Sequence, residues 1–212
     1  MKQLLLQLAA PPEPTLDNYV VGRNSAALEA LRSLVYAPEA GEVVYVYGEP
    51  GAGKTHLVRA VGETWRRQGR SLRRFLAVDD VHRLDEAAQI ALFDAFNEAR
   101  AEGGAIIAAG DVTPRELSVR EDLRTRLASG LALHLHALSD DEKAAALKQR
   151  AQEIGMRLGD EAIAYLLSHV RRDMTTLIGV LEAIDRYSLA YKRPVTLPLI
   201  RDALQSLQNP AR

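Results

Sequence analysis

The chain has 212 residues, of which 47% are hydrophobic and 26% charged, with 27 basic and 28 acidic side chains giving a net charge of −1. Such a length and composition suit a soluble chain of one large or two small domains, and the charge balance argues against a dedicated nucleic-acid-binding domain, which shows as a basic excess. There is no cysteine, so disulfides and thiolate metal centres are excluded.

Leu4-Leu5-Leu6 is too short an apolar run for a signal peptide and is broken by Gln7 and Pro11-Pro12. No stretch approaches the ~18 apolar residues of a membrane span, so a soluble, cytoplasmic protein without a membrane partner is expected. Residues 1–18 read as a tail and linker. Pro11, Pro12 and Pro14 interrupt regular structure and leave the peptide before them tethered rather than embedded. A helix is predicted after Asn24-Ser25, with Leu28, Leu31, Leu34 and Val35 on one face. Gly41 marks a turn, and Val43 to Tyr47 read as a buried strand. Thr55 to Gln68 read as a helix stopped by Gly69.

Phe75 to Asp79 form a second predicted strand, with carboxylates at its C-terminal end. A helix over 86–101 is expected to use Ile90, Phe93 and Phe96 or Asn97 at helical spacing, and Gly103-Gly104 stop it. Ala105 to Ala109 and Leu131 to Leu135 supply a third and a fourth strand. Strands alternating with helices imply a parallel sheet covered on both faces. From Ser139 the pattern becomes helical only. Ser139 and Glu142 fit a capping box, Gly155 stops the helix, and further helices start near Asp160, near Asp173 and after Thr196. The expected organisation is a tail over 1–18, an α/β domain over 19–137 and a small all-α lid domain over 138–212.

Gly48-Glu49-Pro50-Gly51-Ala52-Gly53-Lys54-Thr55 match G-x-x-x-x-G-K-[ST] between a predicted strand and a predicted helix. Glycines let the backbone curl until successive N–H groups point at phosphate oxygens, and the helix adds its positive end. Lys54 is then expected to reach the terminal phosphates and Thr55 to hold Mg²⁺. The bland alternative is a glycine turn with an exposed lysine. Asp79 and Asp80 sit where a P-loop fold turns a strand end toward the loop. Asp79 is the candidate for orienting Mg²⁺ and Asp80 for polarising the attacking water; otherwise they are solvated acids at a strand end. His134 and His136 alternate with Leu131, Leu133 and Leu135 and are expected on the less buried face of a strand rather than on a metal. His56 is expected on a helix surface, and Trp65 reads as packing.

These motifs resemble the AAA+ ATPases and, more narrowly, the DnaA clade. The resemblance runs from Val20-Val21-Gly22 through the phosphate loop and Asp79-Asp80 to Gly110-Asp111-Val112-Thr113-Pro114-Arg115-Glu116-Leu117, then to Glu121-Asp122-Leu123-Arg124-Thr125-Arg126-Leu127 and Arg172-Asp173-Met174. It covers about 19–208 and includes no counterpart to DnaA's helix-turn-helix domain. That arrangement resembles the Hda family, the regulatory inactivators of DnaA, and Gln3-Leu4-Leu5-Leu6-Gln7-Leu8 is similar to that family's sliding-clamp-binding peptide, with Gln7 in place of a proline.

The resemblance implies several roles. Arg126 is an arginine finger offered to a neighbouring DnaA, Asp111 a polar sensor, and Arg172 a lid residue reaching the phosphates, with Arg171 competing for that role. Val20, Val21 and Gly22 line the adenine, and Pro50, Ala52 and His56 belong to the phosphate-loop contacts. Gln3, Leu4, Leu6 and Leu8 grip the clamp, the polymerase β subunit. ADP or ATP with Mg²⁺ is the implied cofactor, and the implied partners are the clamp and DnaA, with a homo-oligomer left open and strong direct DNA binding not expected. Activation of hydrolysis by DnaA is expected more than efficient hydrolysis by the chain itself; the rival is an autonomous AAA+ ATPase such as a helicase loader. One departure concerns the sheet: only Arg70 to Arg74 separate the phosphate-loop helix from the strand ending at Asp79, too few at about 3.3 Å per strand residue to build the further strand and helix usual in AAA+ proteins.

Overall fold

The computed structural model describes residues 12–71 and 74–208. The chain divides into two compact units, one formed by Pro14–Ala137 and the other containing residues 138–208.

The first unit is built on four parallel strands, β1 (Val43–Tyr47), β2 (Phe75–Val78), β3 (Ala105–Gly110) and β4 (Leu131–His134), in the order β2-β3-β1-β4. Val43 pairs with Ile106 and Tyr47 with Gly110, Val44 lies opposite Leu131, and Phe75 lies opposite Ala105. β1 and β3 are interior strands, and their residues alternate between two cores as the pleat requires. Val44, Val46, Ala105, Ile107 and Ala109 face α1 (Ser25–Tyr36) and α2 (Lys54–Arg67). Val43, Tyr45, Ile106 and Ala108 face α3 (Glu86–Ala101) and α4 (Glu121–Ala128). All of β3 is buried, which is why it reads as an unbroken apolar run rather than an alternating one. β2 and β4 are the edges, and Leu131 remains 49% exposed.

α1 buries Leu28, Leu31, Leu34 and Val35, as its periodicity predicts. α2 begins at Lys54, where Gly53 takes a left-handed conformation at φ 90°. It buries Leu57, Val58, Val61 and Trp65, and Trp65 stacks on Phe75 of β2 at 4.9 Å. The helix over 86–101 is present, but its buried line is Leu92, Phe96 and Ala99, while Ile90 is 43% exposed. Phe96 is buried as expected, but the rest of the expected face is rotated: Ile90 shares a period with Phe93, while the sheet lies under the neighbouring stripe.

The sheet has four strands among the described residues, with β2 at an edge directly following α2 in the order of elements. Among the described residues β2 pairs with β3 alone. Tyr45, wholly buried on β1, crosses to the end of the neighbouring strand and donates to the Val112 carbonyl at 3.0 Å. Burial, with the Asp111 carboxylate as a lesser cause, pushes its phenol well above the usual range.

The second unit holds α5 (Asp140–Glu153), α6 (Asp160–His169), α7 (Met174–Tyr191) and α8 (Leu197–Gln208). Both halves of the Ser139–Glu142 capping box form, and Asp173 caps α7 by accepting from Thr176 N at 2.8 Å. Leu147, Leu166, Leu177, Leu181, Ile184, Leu199 and Ile200 fill its separate core. Arg150 ties α5 to α7 through Glu182 at 2.8 Å. Among the described residues no helix is long and apolar enough to cross a membrane.

Tyr45→Phe removes a buried donor and strands the Val112 carbonyl. It should lower unfolding free energy by about 1–3 kcal/mol in urea denaturation with no change in secondary structure.

Candidate nucleotide-binding site

A parallel sheet places the carboxyl ends of all its strands on one edge, and that edge is where open α/β sheets bind ligands. Here it carries the phosphate loop after β1, Asp79-Asp80 after β2, Asp111 after β3 and His136 after β4. Four segments far apart in sequence are thereby brought to one side of the molecule by topology alone.

The loop is curled by positive φ at Gly48 (150°), Gly51 (84°) and Gly53 (90°). Two of these glycines are also required for space. A Cβ at Gly48 would run into the Leu135 carbonyl oxygen, and one at Gly53 would lie 2.6 Å from the Tyr19 ring. At Gly51 nothing lies within 4 Å, so this part of the loop borders open space. Lys54 Nζ folds back on the loop, donating to the carbonyls of Gly48 at 2.6 Å and Glu49 at 3.1 Å. Pro50 and Thr55 are exposed and Ala52 is buried.

The loop is held from outside by residues that the sequence did not single out. Asn24 is 3% exposed, and its amide nitrogen donates to the Tyr19 hydroxyl at 3.0 Å and to the His136 carbonyl at 2.9 Å. Its amide oxygen accepts from His136 N at 2.8 Å. The Tyr19 hydroxyl donates in turn to the Ala52 carbonyl inside the loop at 3.1 Å. Asn24 was legible only as a residue preceding a helix, but its side chain forms no cap there. Val20 and Gly22 lie between Tyr19 and Asn24, with Gly22 at φ 48°, and Val21 packs against the core shared by α1 and α2.

His56 corrects its expected place on a helix surface. It is half-buried, its Nε2 donates to the Thr15 carbonyl at 2.9 Å, and its ring packs on Tyr19 at 5.6 Å. His134 is exposed on the edge strand as expected, stacked on Tyr47 at 5.0 Å and meeting His136 edge-on.

Asp79 and Asp80 are half-buried at the end of β2. Asp79 Oδ1 accepts from the Asp80 amide at 2.9 Å, and Asp80 takes a left-handed conformation at φ 49°, unusual for a residue with a side chain. Asp80 lies 3.5 Å from Arg83, and Asp111 lies 3.5 Å from His82 Nδ1, a residue outside the sequence motifs. Among the described residues no three His, Asp or Glu side chains converge as a ready metal site. That fits Mg²⁺, which is usually bound by one or two protein groups together with substrate phosphates; the exposed Thr55 hydroxyl and the Asp79 carboxylate are the donors of that kind here.

Arg126 lies on α4 with its guanidinium 5.9 Å from the centre of the Phe93 ring on α3. Its neighbours are committed elsewhere: Arg120 pairs with Asp122 at 2.7 Å and Arg124 approaches Glu121 at 3.8 Å. Among the described residues Arg126 has no carboxylate partner. In the helical unit, Arg172 donates to Asp140 at 3.1 Å and to the Leu167 carbonyl at 3.1 Å, while Arg171 lies 3.5 Å from Asp173. Gln3, Leu4, Leu6 and Leu8 lie outside the described residues.

A parallel sheet ordered β2-β3-β1-β4, a glycine phosphate loop after β1, an acidic pair after β2 and a separate four-helix unit define an AAA+ P-loop protein. The comparisons narrow this. The family model for the bacterial DnaA ATPase domain matches residues 11–75, and that for the lid domain of Hda matches residues 140–204. An uncharacterized protein of Haemophilus influenzae is 29% identical over 231 aligned positions, covering 96% of this chain and 98% of the relative. Domain III of Thermotoga maritima DnaA superposes with a TM-score of 0.70 at 22% identity, covering 92% of this chain and 97% of that one, a likeness of fold. AMPPCP-bound DnaA from Aquifex aeolicus gives 0.66 at 25% identity, covering 84% of this chain and 66% of that one. The chain thus matches the DnaA ATPase domain over its N-terminal part and the Hda lid domain over its C-terminal part, on a fold shared with DnaA.

Burial holds the His56 imidazole below its ordinary value near 6.5, with the bond to Thr15 offsetting part of the effect. A base whose folded-state value is depressed stabilises the fold while neutral. That contribution is complete above about pH 6.5 and is lost as pH falls toward and through the lowered value. In the nucleotide-free protein, the melting temperature of wild type should therefore drop more than that of His56→Gln between about pH 7 and pH 5; parallel curves would exclude this role.

Proposed function

We propose that the chain binds an adenine nucleotide at the phosphate loop, docks on the DNA sliding clamp, and promotes hydrolysis of ATP held by DnaA. The observation that carries the reading is Arg126: an arginine without an acidic partner among the described residues, resting on an aromatic ring, in a chain whose residues 140–204 match the Hda lid domain. An arginine finger acts by neutralising charge on the transferred phosphoryl group of a neighbouring subunit, worth roughly 10³–10⁵ in rate. A guanidinium already paired with a carboxylate would have to break that pair first. Arg120 and Arg124 carry such partners, so Arg126 is the arginine of this segment best prepared for the role.

Nucleotide binding in this chain is supported by the glycine cradle and by DnaA from Aquifex aeolicus holding AMPPCP. Lys54 exchanges two loop carbonyls for phosphate oxygens, Val20 to Gly22 adjoin the base, and Arg172 exchanges Asp140 for phosphate. Bound Mg²⁺ supplies charge neutralisation at the terminal phosphates, with Thr55 and Asp79 as its protein ligands. The tail Gln3 to Leu8 supplies the clamp contact in this reading: an extended peptide inserts alternate leucines into an apolar groove. Direct DNA binding is weak, because a net charge of −1 leaves little counterion release. Asp79 and Asp80 at the strand end favour a second reading, in which the chain also turns over ATP by itself as an autonomous AAA+ ATPase.

The experiment is single-turnover hydrolysis of ATP pre-bound to DnaA in the presence of DNA-loaded clamp. Wild type should accelerate it, Arg126→Ala should lose at least about 10³ of the acceleration, and Gln3→Ala should fail to accelerate it, having lost the clamp contact. ATP turnover by this chain alone, with no effect on DnaA, would establish the second reading and sink the first.

A further inference from the structure

We infer that the outer edge of β2 is a self-association surface: two copies of the chain pair their β2 strands antiparallel about a two-fold axis, with Arg74 of each copy meeting Asp80 of the other. The inference does not depend on nucleotide binding; it comes from the strand and the charges at its two ends.

An edge strand leaves main-chain N–H and C=O groups open on one side, and folded proteins commonly shield such edges with charged side chains, proline or a bulge. β2 is Phe75-Leu76-Ala77-Val78, with no charge and no proline, and its register against β3 runs through all four residues without a bulge. Among the described residues it pairs with β3 alone, and no other main-chain bond covers its outer side. Ala77, in the middle of the strand, is exposed. The two faces are already used: Phe75 stacks on Trp65 of α2, and Leu76 and Val78 pack on the core beneath α3. What stays open is the edge itself, and an edge of this kind accepts one more strand.

The flanking sequence selects the occupant. Arg73-Arg74 precede the strand and Asp79-Asp80 follow it, so the segment is basic at one end and acidic at the other. An antiparallel copy sets unlike ends side by side, whereas a parallel one would set like charges together. Opposed residues of an antiparallel pair point to the same face, so two-fold symmetry requires opposed positions of equal parity. With Ala77 opposite Ala77 of the second copy, Leu76 lies opposite Val78 and Arg74 comes beside Asp80, each contact occurring twice; Asp79 falls opposite Phe75 and is not used. Both charges are available. Arg74 is exposed, has no carboxylate partner among the described residues, and reaches the Gly103 carbonyl only at 3.4 Å. The Asp80 side chain is 44% exposed and lies 3.5 Å from Arg83, which is 74% exposed, a surface pair of little worth. A two-fold contact is self-complementary, so it uses both open edges and closes at two copies. Four strand residues cover little beside the roughly 1,200 Å² of a stable interface, so the dimer is weak and reversible.

The test is analytical ultracentrifugation of the full chain over a concentration series, for wild type, Arg74→Glu, Asp80→Lys and an equimolar mixture of the two variants. Wild type should dimerise with a micromolar dissociation constant that rises with salt. Each variant alone replaces two attractions by two repulsions and should weaken association by at least about tenfold. The mixture should recover association, because each copy then offers the other two unlike pairs. Arg74→Gln and Asp80→Asn, which remove charge without reversing it, should be intermediate, and they give the same reading where a reversal disturbs folding. A wild type that stays monomeric at about 100 µM, dimers that persist in all the single variants, or a mixture of folded variants no more associated than its components would overturn the inference.

Discussion

Among the described residues Asn24 is the one buried polar side chain, and the shape of the phosphate loop depends on it. Burying an amide costs free energy unless its hydrogen bonds are replaced. Here each polar atom is used: the oxygen accepts from His136 N, and the nitrogen serves both the His136 carbonyl and the Tyr19 hydroxyl. Tyr19 passes the constraint to the Ala52 carbonyl, and its ring occupies the space that a side chain at residue 53 would need. The segment before α1, the end of β4 and the phosphate loop are thus one hydrogen-bonded unit. A loop whose amides must converge on phosphate gains from being shaped before the ligand arrives, since ordering it on binding would subtract from affinity.

The rest of the site follows from the strand order. With β1 between β3 and β4, the loop leaves the sheet flanked by the ends of two neighbours. β4 braces it through Leu135 and His136, while β3 carries Asp111. β2 stands one strand further out, and the acidic pair depends on a strained turn at Asp80 for its direction. Among the described residues β2 is paired on one side only, so the turn of Asp79 and Asp80 is held by Val81 in the core and by contacts toward β3.

Much of this was legible in the sequence because it rests on local rules. Periodicity placed α1 and the strands, Ser139 and Glu142 announced a cap that forms in full, and Gly48 to Thr55 carried their own structural context. What escaped depends on contacts distant in sequence. The buried face of α3 was read correctly at Phe96 but not at Ile90, because these residues with Leu92 and Phe93 offer two overlapping stripes, and only the position of the sheet chooses between them. His56 looked like helix surface because nothing local tells that Thr15 and Tyr19 cover it. Asn24, Tyr19, Tyr45 and His82 carry no motif; their partners lie 112, 33, 67 and 29 residues away, His82 being placed by the pairing of β2 with β3.

The central claim is that a braced phosphate loop makes this chain a nucleotide-binding protein, and calorimetric titration of Mg·ADP into wild type and Tyr19→Phe tests it most directly. Phenylalanine keeps the packing against Gly53 and removes only the hydroxyl that joins Asn24 to Ala52. The account predicts saturable one-to-one binding by wild type and an affinity lower by about five- to tenfold in the variant, the worth of one buried hydrogen bond. Equal affinity in the two proteins would contradict the brace, and no binding by wild type would contradict the site itself.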